Sequence, residues 1–231
     1  SYDMKVRSDN AAAWGLPGVL DYFRGNRRAT SDVYPSEWYF LKDRLREGMT
    51  ILDVGCAQGG FAGIVAEHVN AFTYVGTEIN PEMVAIAKAK YPHHQFHLVR
   101  EGAFSLPNAK RFDVVLVLGI LHLHETWRET LRSAWSYTEA DMIFDLRETT
   151  GQTVEDIERS YMKMDFGGGD SRHSQSRVPY IVVNESEAAQ TVRSICSDST
   201  KIDCYGYAHK ASPSAVTPFD QITTRVWCAT R

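Results

Sequence analysis

The segment from Thr50 to Ala66 admits few folds. The apolar run Thr50-Ile51-Leu52 leads into Asp53-Val54-Gly55-Cys56-Ala57-Gln58-Gly59-Gly60, and the apolar positions then change period to Phe61, Ile64 and Val65. Such a pattern reads as a strand, a glycine turn and a helix, the repeating step of an α/β sheet. The turn also builds a ligand site. Its glycines permit unusual backbone angles and close approach of a ligand, while the following helix begins with unpaired N–H groups. Asp53 stands just before the first glycine, at the end of the strand. A carboxylate there repels a pyrophosphate and suits a hydroxyl or a cationic amine, which argues against a dinucleotide.

The rest of the chain extends this reading. Phe72 to Glu78 and Gln95 to Arg100 read as further strands, and Asn80-Pro81 opens a helix with Met83, Ile86 and Ala87 on its inner face. Phe112 to Leu118 is apolar without alternation, as expected of a central parallel strand covered on both sides. Trp127, Leu131, Ala134 and Trp135 recur at helical spacing before a fifth strand at Asp141 to Asp145. Ser36 is placed to cap a helix presenting Trp38, Leu41 and Leu45 and ending at Gly48, and Asn184 with Glu187 to cap one through Val192 and Ile195. Thr153 with Asp156 resembles a capping box for a helix bearing Val154, Ile157, Tyr161 and Met164. Two β-like runs, Lys201 to Tyr207 and Gln221 to Ala229, close the chain as an antiparallel edge pair.

These steps imply an α/β fold, a doubly wound and mostly parallel seven-stranded sheet with an antiparallel C-terminal strand and helices on both faces. The 231 residues carry no Pro/Gly/Ser-rich linker, so one domain is expected. Its parts are an N-terminal arm or cap (1–48), a core (49–147), an inserted lid (148–183) and a C-terminal helix with the strand pair (184–231). Twenty-five Lys and Arg against 29 Asp and Glu give a formal net charge of -4, which disfavours a nucleic-acid partner. The four cysteines, Cys56, Cys196, Cys204 and Cys228, form no CxxC pair, as expected of reduced thiols in a cytoplasmic protein. No apolar stretch approaches membrane-spanning length. Oligomeric state is not legible.

A second acid makes the first intelligible. Glu78 follows Gly55 by 23 residues, the distance at which a doubly wound fold places a ribose-binding carboxylate. Together the two features point to an adenosine ligand. From about Thr50 to Arg147 the chain resembles the class I S-adenosylmethionine-dependent methyltransferases, whose first motif is an acid, any residue, then three glycines at alternate positions. Here that motif reads Asp53, Gly55, Ala57, Gly59, with Ala57 in place of the middle glycine. The resemblance implies S-adenosyl-L-methionine as cofactor, with Gly55, Cys56, Ala57 and Gly59 lining it, Asp53 orienting its methionyl amine and Glu78 accepting from both ribose hydroxyls. It implies Ile79 and Phe104 as adenine walls, with Ala103 offering a wall or a backbone N–H, and Gly119 near the methionyl group. Many relatives place an adenine-binding acid where this chain has Gly102, with Glu101 one place early.

Methyl transfer from a sulfonium gains most from alignment of donor and acceptor, and a hydroxyl acceptor needs a base. Gly119-Ile120-Leu121-His122-Leu123-His124-Glu125 leaves the carboxyl end of the central strand, where open α/β sheets bind ligands. His122 and His124 are the first catalytic candidates, with His122 slightly favoured and at least one of the two read as packing or as a helix cap. Asp145 and Arg147 end the fifth strand and either face the same cleft or form an ordinary ion pair. His122, His124 and Asp145 together are too weak a set to assign a metal. Tyr34, Arg24 and His173 join Arg147 as acceptor-binding candidates, against plainer readings as packing or solvated surface. The expected activity is methyl transfer to a small polar metabolite, on oxygen in preference to nitrogen and with a sugar among the candidates. The alternatives are N-methylation of a small molecule and a non-catalytic Rossmann-like nucleotide-binding module.

Overall fold

A computed structural model describes residues 33–108, 110–164 and 176–231. The arm candidates Arg24, Arg27 and Arg28, the glycine run 167–169 and His173 lie outside the described residues. Helix α1 (Pro35–Leu41) begins two residues earlier than the sequence implies, because Pro35 fixes the first helical φ and Tyr34 takes the cap position, its N–H donating to Glu37 at 3.2 Å. Ser36 is therefore buried inside the first turn instead of capping it. After one 3-10 turn at Lys42–Arg44 the chain turns at Gly48, with φ +80°, into strand β1 (Met49–Val54).

From β1 the chain alternates through α2 (Gly60–Ala66), β2 (Phe72–Glu78), α3 (Pro81–Lys90), β3 (Gln95–Leu98), β4 (Phe112–Val117), α4 (Trp127–Ser136) and β5 (Thr138–Thr149). Asn80 caps α3 through its side chain, which accepts from the Met83 N–H at 3.0 Å. A short strand β6 (Tyr161–Lys163), then β7 (Arg177–Pro179), β8 (Val183–Asn184) and α5 (Glu185–Ile195) follow. The chain closes with β9 (Lys201–Lys210), β10 (Ala215–Val216) and β11 (Gln221–Thr230).

The main sheet runs β3-β2-β1-β4-β5-β11-β9, with β8 appended to the end of β5. β1 to β5 are mutually parallel, and β11 inserts antiparallel to both β5 and β9. The seven-stranded α/β sheet expected from the sequence is thus present. Its central strands lack hydrophobic alternation because each feeds two cores. In β4 and the residue after it, Val114, Leu116 and Leu118 pack with α2 and α3, whereas Val115 and Val117 pack with α4 and α5. β1 divides the same way, Met49 and Ile51 to one face, Leu52 and Val54 to the other. No helix among the described residues is long and apolar enough to cross a membrane.

The expected helix over Thr153 to Met164 does not form. Val154 instead bridges Val182, and β6 pairs with β7 and β10 in a second, three-stranded sheet. The apolar residues of that stretch find cross-strand partners in the returning chain: Met164, Val178, Tyr180 and Val182 are buried together, and the Ser160 hydroxyl donates to the Tyr180 carbonyl at 2.6 Å. Tertiary pairing overrides the local cap signal. The insertion leaves and returns at the end of β5, and β10, supplied from between β9 and β11, completes the small sheet beside the carboxyl edge of the large one.

Candidate active site

The carboxyl ends of β1 to β5 and the small sheet enclose a cavity of about 420 Å³, within the usual range for a small-molecule site. On the β1 side the glycine turn closes onto β2: the Gly55 and Cys56 N–H groups both donate to the Thr77 carbonyl at 2.9 Å. Gly55 (φ +74°) and Gly59 (φ +83°) occupy the left-handed region, and so does Ala57 (φ +51°). The middle position of the motif therefore asks for glycine conformation from an alanine. A Cβ on Gly55 would also stand 2.8 Å from Ile120, which leans over the turn from the β4 loop.

Asp53 is buried at the base of this turn and accepts a hydrogen bond from the Tyr74 hydroxyl. Glu78, buried at the end of β2, accepts through Oε2 from the N–H groups of Ile79 (2.6 Å) and Asn80 (2.9 Å), and through Oε1 from Ala57 at 3.3 Å. Loss of hydration raises the Glu78 pKa; these N–H groups and His124 offset only part of that rise. Its Oε1 carries one long bond and borders the cavity, the position from which a carboxylate takes hydroxyl donors.

The loop after β3 brings Glu101, Gly102 and Phe104 to the cavity wall. Gly102 has φ +90°, and Glu101 accepts at 3.4 Å from the Thr126 hydroxyl and lies 3.3 Å from His124 Nδ1. The displaced acid is thus held on the next loop, against His124. Ala103 is exposed and stands outside the lining, as does Gly59, whose neighbour Gly60 lines instead. Cys56, Ala57, Ile79 and Gly119 all border the cavity.

His122 and His124 share one 3-10 turn (Leu121–Leu123 and the residue after it) yet serve different ends of the cleft. His124 faces the Glu101 and Glu78 carboxylates, while His122 packs edge-on against Tyr180 at 5.6 Å and lies within reach of the Arg147 charge. His122 is 5% exposed, borders the cavity, and its Nδ1 is buried without a hydrogen-bond partner. Burial first, then the Arg147 charge, holds its pKa well below the ordinary histidine range, so the ring is neutral at neutral pH. Asp145 does not reach the cavity: Oδ1 accepts from the Gly119 N–H at 2.5 Å and Oδ2 from Arg147. It positions the β4 loop and the arginine, and it does not converge with the two histidines on a common point. No cluster of three or more His, Cys, Asp or Glu side chains suited to a metal occurs among the described residues.

Arg147 and Tyr34 border the cavity as the sequence anticipates. Met162 of β6 and Ser212 and Ser214 ahead of β10 do so without any sequence signal, because nothing in Ala211 to Phe219 foretells that this link folds back over the sheet edge. Gln58, Thr77 and Met83, also on the wall, read as ordinary turn, strand and helix residues.

The sheet order converts this inventory into a spatial one. From β3 to β5 are four inter-strand steps, about 19 Å at the usual spacing. Glu78 and the glycine turn stand at the ends of β2 and β1, His122 and Arg147 at those of β4 and β5, and the loop after β3 carries Glu101 across to the β4 loop, 3.3 Å from His124 Nδ1. A cleft with a buried carboxylate, a left-handed glycine cradle and apolar walls suits an adenosyl group over β1 to β3 and leaves the β4 and β5 ends for a second molecule.

Comparison with known proteins agrees. Residues 51–141 match a family model described as a methyltransferase domain. A fatty-acid O-methyltransferase of Mycolicibacterium smegmatis is 32% identical over 79 residues, 34% of this chain, and the chain spans only 29% of that protein's length. Among solved structures, the N-terminal domain of EvdMO1 with S-adenosylhomocysteine bound superposes with a TM-score of 0.56 at 12% identity, covering 82% of this chain and 77% of that one. An S-adenosylmethionine-dependent methyltransferase from Mesorhizobium loti gives 0.52 at 15% identity (84% and 97%), and the cyclase SpnF 0.54 at 15% (84% and 79%). The last shows that the fold alone does not fix the reaction. With the acid-glycine motif, the ribose-position glutamate and the sheet order in place, residues 51–141 carry a methyltransferase domain and the chain has the fold of the class I S-adenosylmethionine-dependent methyltransferases it resembles.

Proposed function

We propose that this chain transfers a methyl group to an oxygen atom of a small polar molecule bound over the ends of β4 and β5. S-adenosylmethionine, when bound, supplies an electrophilic methyl group on a sulfonium. Asp53 and the Gly55 to Gly60 turn would hold its methionyl portion, Glu78 its ribose, and Ile79 and Phe104 its adenine, a reading supported by their common place on the cavity wall. The observation that carries the oxygen acceptor is His122: a neutral, buried imidazole that borders the cavity beside Arg147. A hydroxyl loses its proton as it attacks, and a neutral imidazole within hydrogen-bond reach takes it. An amine attacking as the free base needs no such partner during bond formation. The curated relative's printed activity is likewise an O-methylation.

Methyl-labelled S-adenosylmethionine incubated with fractionated metabolites tests the reading. Labelled product should appear as an ether or ester. His122→Ala should lower turnover by about 10²-fold or more with S-adenosylhomocysteine affinity unchanged in calorimetry. Turnover equal to wild type removes His122 from the base role. Labelled amines would establish N-methylation, and binding of the cofactor with no labelled product from any fraction would favour a non-catalytic module.

A further inference from the structure

Building on that reading, we infer that the acceptor is a carboxylate on an apolar body, anchored by Arg147. The first observation is the hydrogen-bond inventory of Arg147. The side chain is 16% exposed and borders the cavity, and of its five N–H donors one, on Nη1, goes to Asp145. Asp145 in turn is fully engaged, one oxygen on the Gly119 N–H and the other on the arginine. The remaining guanidinium edge has no acceptor among the described residues. That edge is open to the cavity, and a carboxylate matches its fork with charge-assisted bonds.

The second observation is how charge divides along the cleft. Of the carboxylates that border it, Asp53 and Glu78 stand at the ends of β1 and β2 and Glu101 lies against His124 of the β4 loop, whereas the β5 end presents Arg147. Exposed Arg100 lies at the far β3 end. An anion entering beside β5 therefore meets a cation and two serines (Ser212 and Ser214), the adjacent Asp145 carboxylate being already paired with Arg147. The rest of that wall is apolar, from Ile120, Leu123 and Met162. His122, within reach of the Arg147 charge, borders the same end of the cavity.

The probes are octanoate and octanamide, equal in length and differing in charge, titrated into the 231-residue chain saturated with S-adenosylhomocysteine. Octanoate should bind saturably and at least about tenfold tighter than octanamide, the size of one or more charge-assisted bonds. Arg147→Gln should abolish that preference while leaving S-adenosylhomocysteine affinity within about twofold of wild type, and Arg147→Lys should restore part of it. Equal binding of the two probes, absence of saturable octanoate binding, or a preference that survives Arg147→Gln overturns the inference. A loss of S-adenosylhomocysteine affinity in Arg147→Gln with octanoate binding intact also overturns it, by assigning the arginine to the donor's own carboxylate. Should Arg147→Gln fail to fold, the wild-type comparison of the two probes decides alone. Failure of S-adenosylhomocysteine to bind wild type would instead sink the methyltransfer reading, so the two failures are distinguishable.

Discussion

Ala57 and His122 each hold a state that their residue type avoids, and both border the same cavity. Ala57 sits at φ +51°, where an L side chain is strained by about 1–2 kcal/mol. Ala57→Gly relieves that strain and gives the unfolded chain extra freedom worth about 0.4–1 kcal/mol. We therefore expect denaturant unfolding to find the variant equal to or slightly more stable than wild type. A loss above about 1 kcal/mol would mean that the Ala57 methyl group's packing outweighs its backbone strain. For His122 the folded pKa lies well below its ordinary 6.5, because burial disfavours the charged ring. The unfolded chain thus binds a proton that the folded one refuses. The His122 contribution is full above about pH 6.5 and is lost as pH falls through the lower folded value, at up to about 1.4 kcal/mol per pH unit. Unfolding measured from pH 8 to 5 should show this decline, and His122→Gln should flatten it; identical profiles would place the imidazole in contact with water.

At the scale of elements, the glycine turn depends on a strand residue that never touches the ligand space. Gly76 in β2 has ordinary extended geometry, but a Cβ there would stand 2.7 Å from Cys56 Sγ and 2.9 Å from Phe96. Gly76→Ala should push the turn off β2, lowering stability by about 1–3 kcal/mol and weakening S-adenosylhomocysteine binding in calorimetry. Stability loss with unaltered binding would show that Phe96 yields and the turn does not. Sequence could name Gly55 and Gly59, since the turn and the helix after it announce their conformation. It could not name Gly76, because close approach between strand and turn leaves no local pattern. The helix expected over Thr153 to Met164 failed for a related reason: its cap-like residues were legible, while its partners Val178 to Val182 and Ala215 arrive from distant parts of the chain.

For the molecule as a whole, legibility follows the order of the sheet. The β1 to β4 half could be read because β1, β2 and β4 each end in a local signal that borders the cavity: Asp53 and the glycine turn, Glu78, Gly119 with its histidines. Of the β5 side only Arg147 was legible, because Met162, Ser212 and Ser214 come from two further segments brought to it by the second sheet. The account rests on Glu78, the residue that turns a generic helix-terminus cradle into an adenosyl site. Calorimetric titration of S-adenosylhomocysteine into wild type and Glu78→Gln tests it most directly. Saturable binding of one molecule per chain in wild type, weakened at least about tenfold in the variant by loss of the charged acceptor, is the result expected. No binding to wild type, or equal binding to both proteins, would contradict it.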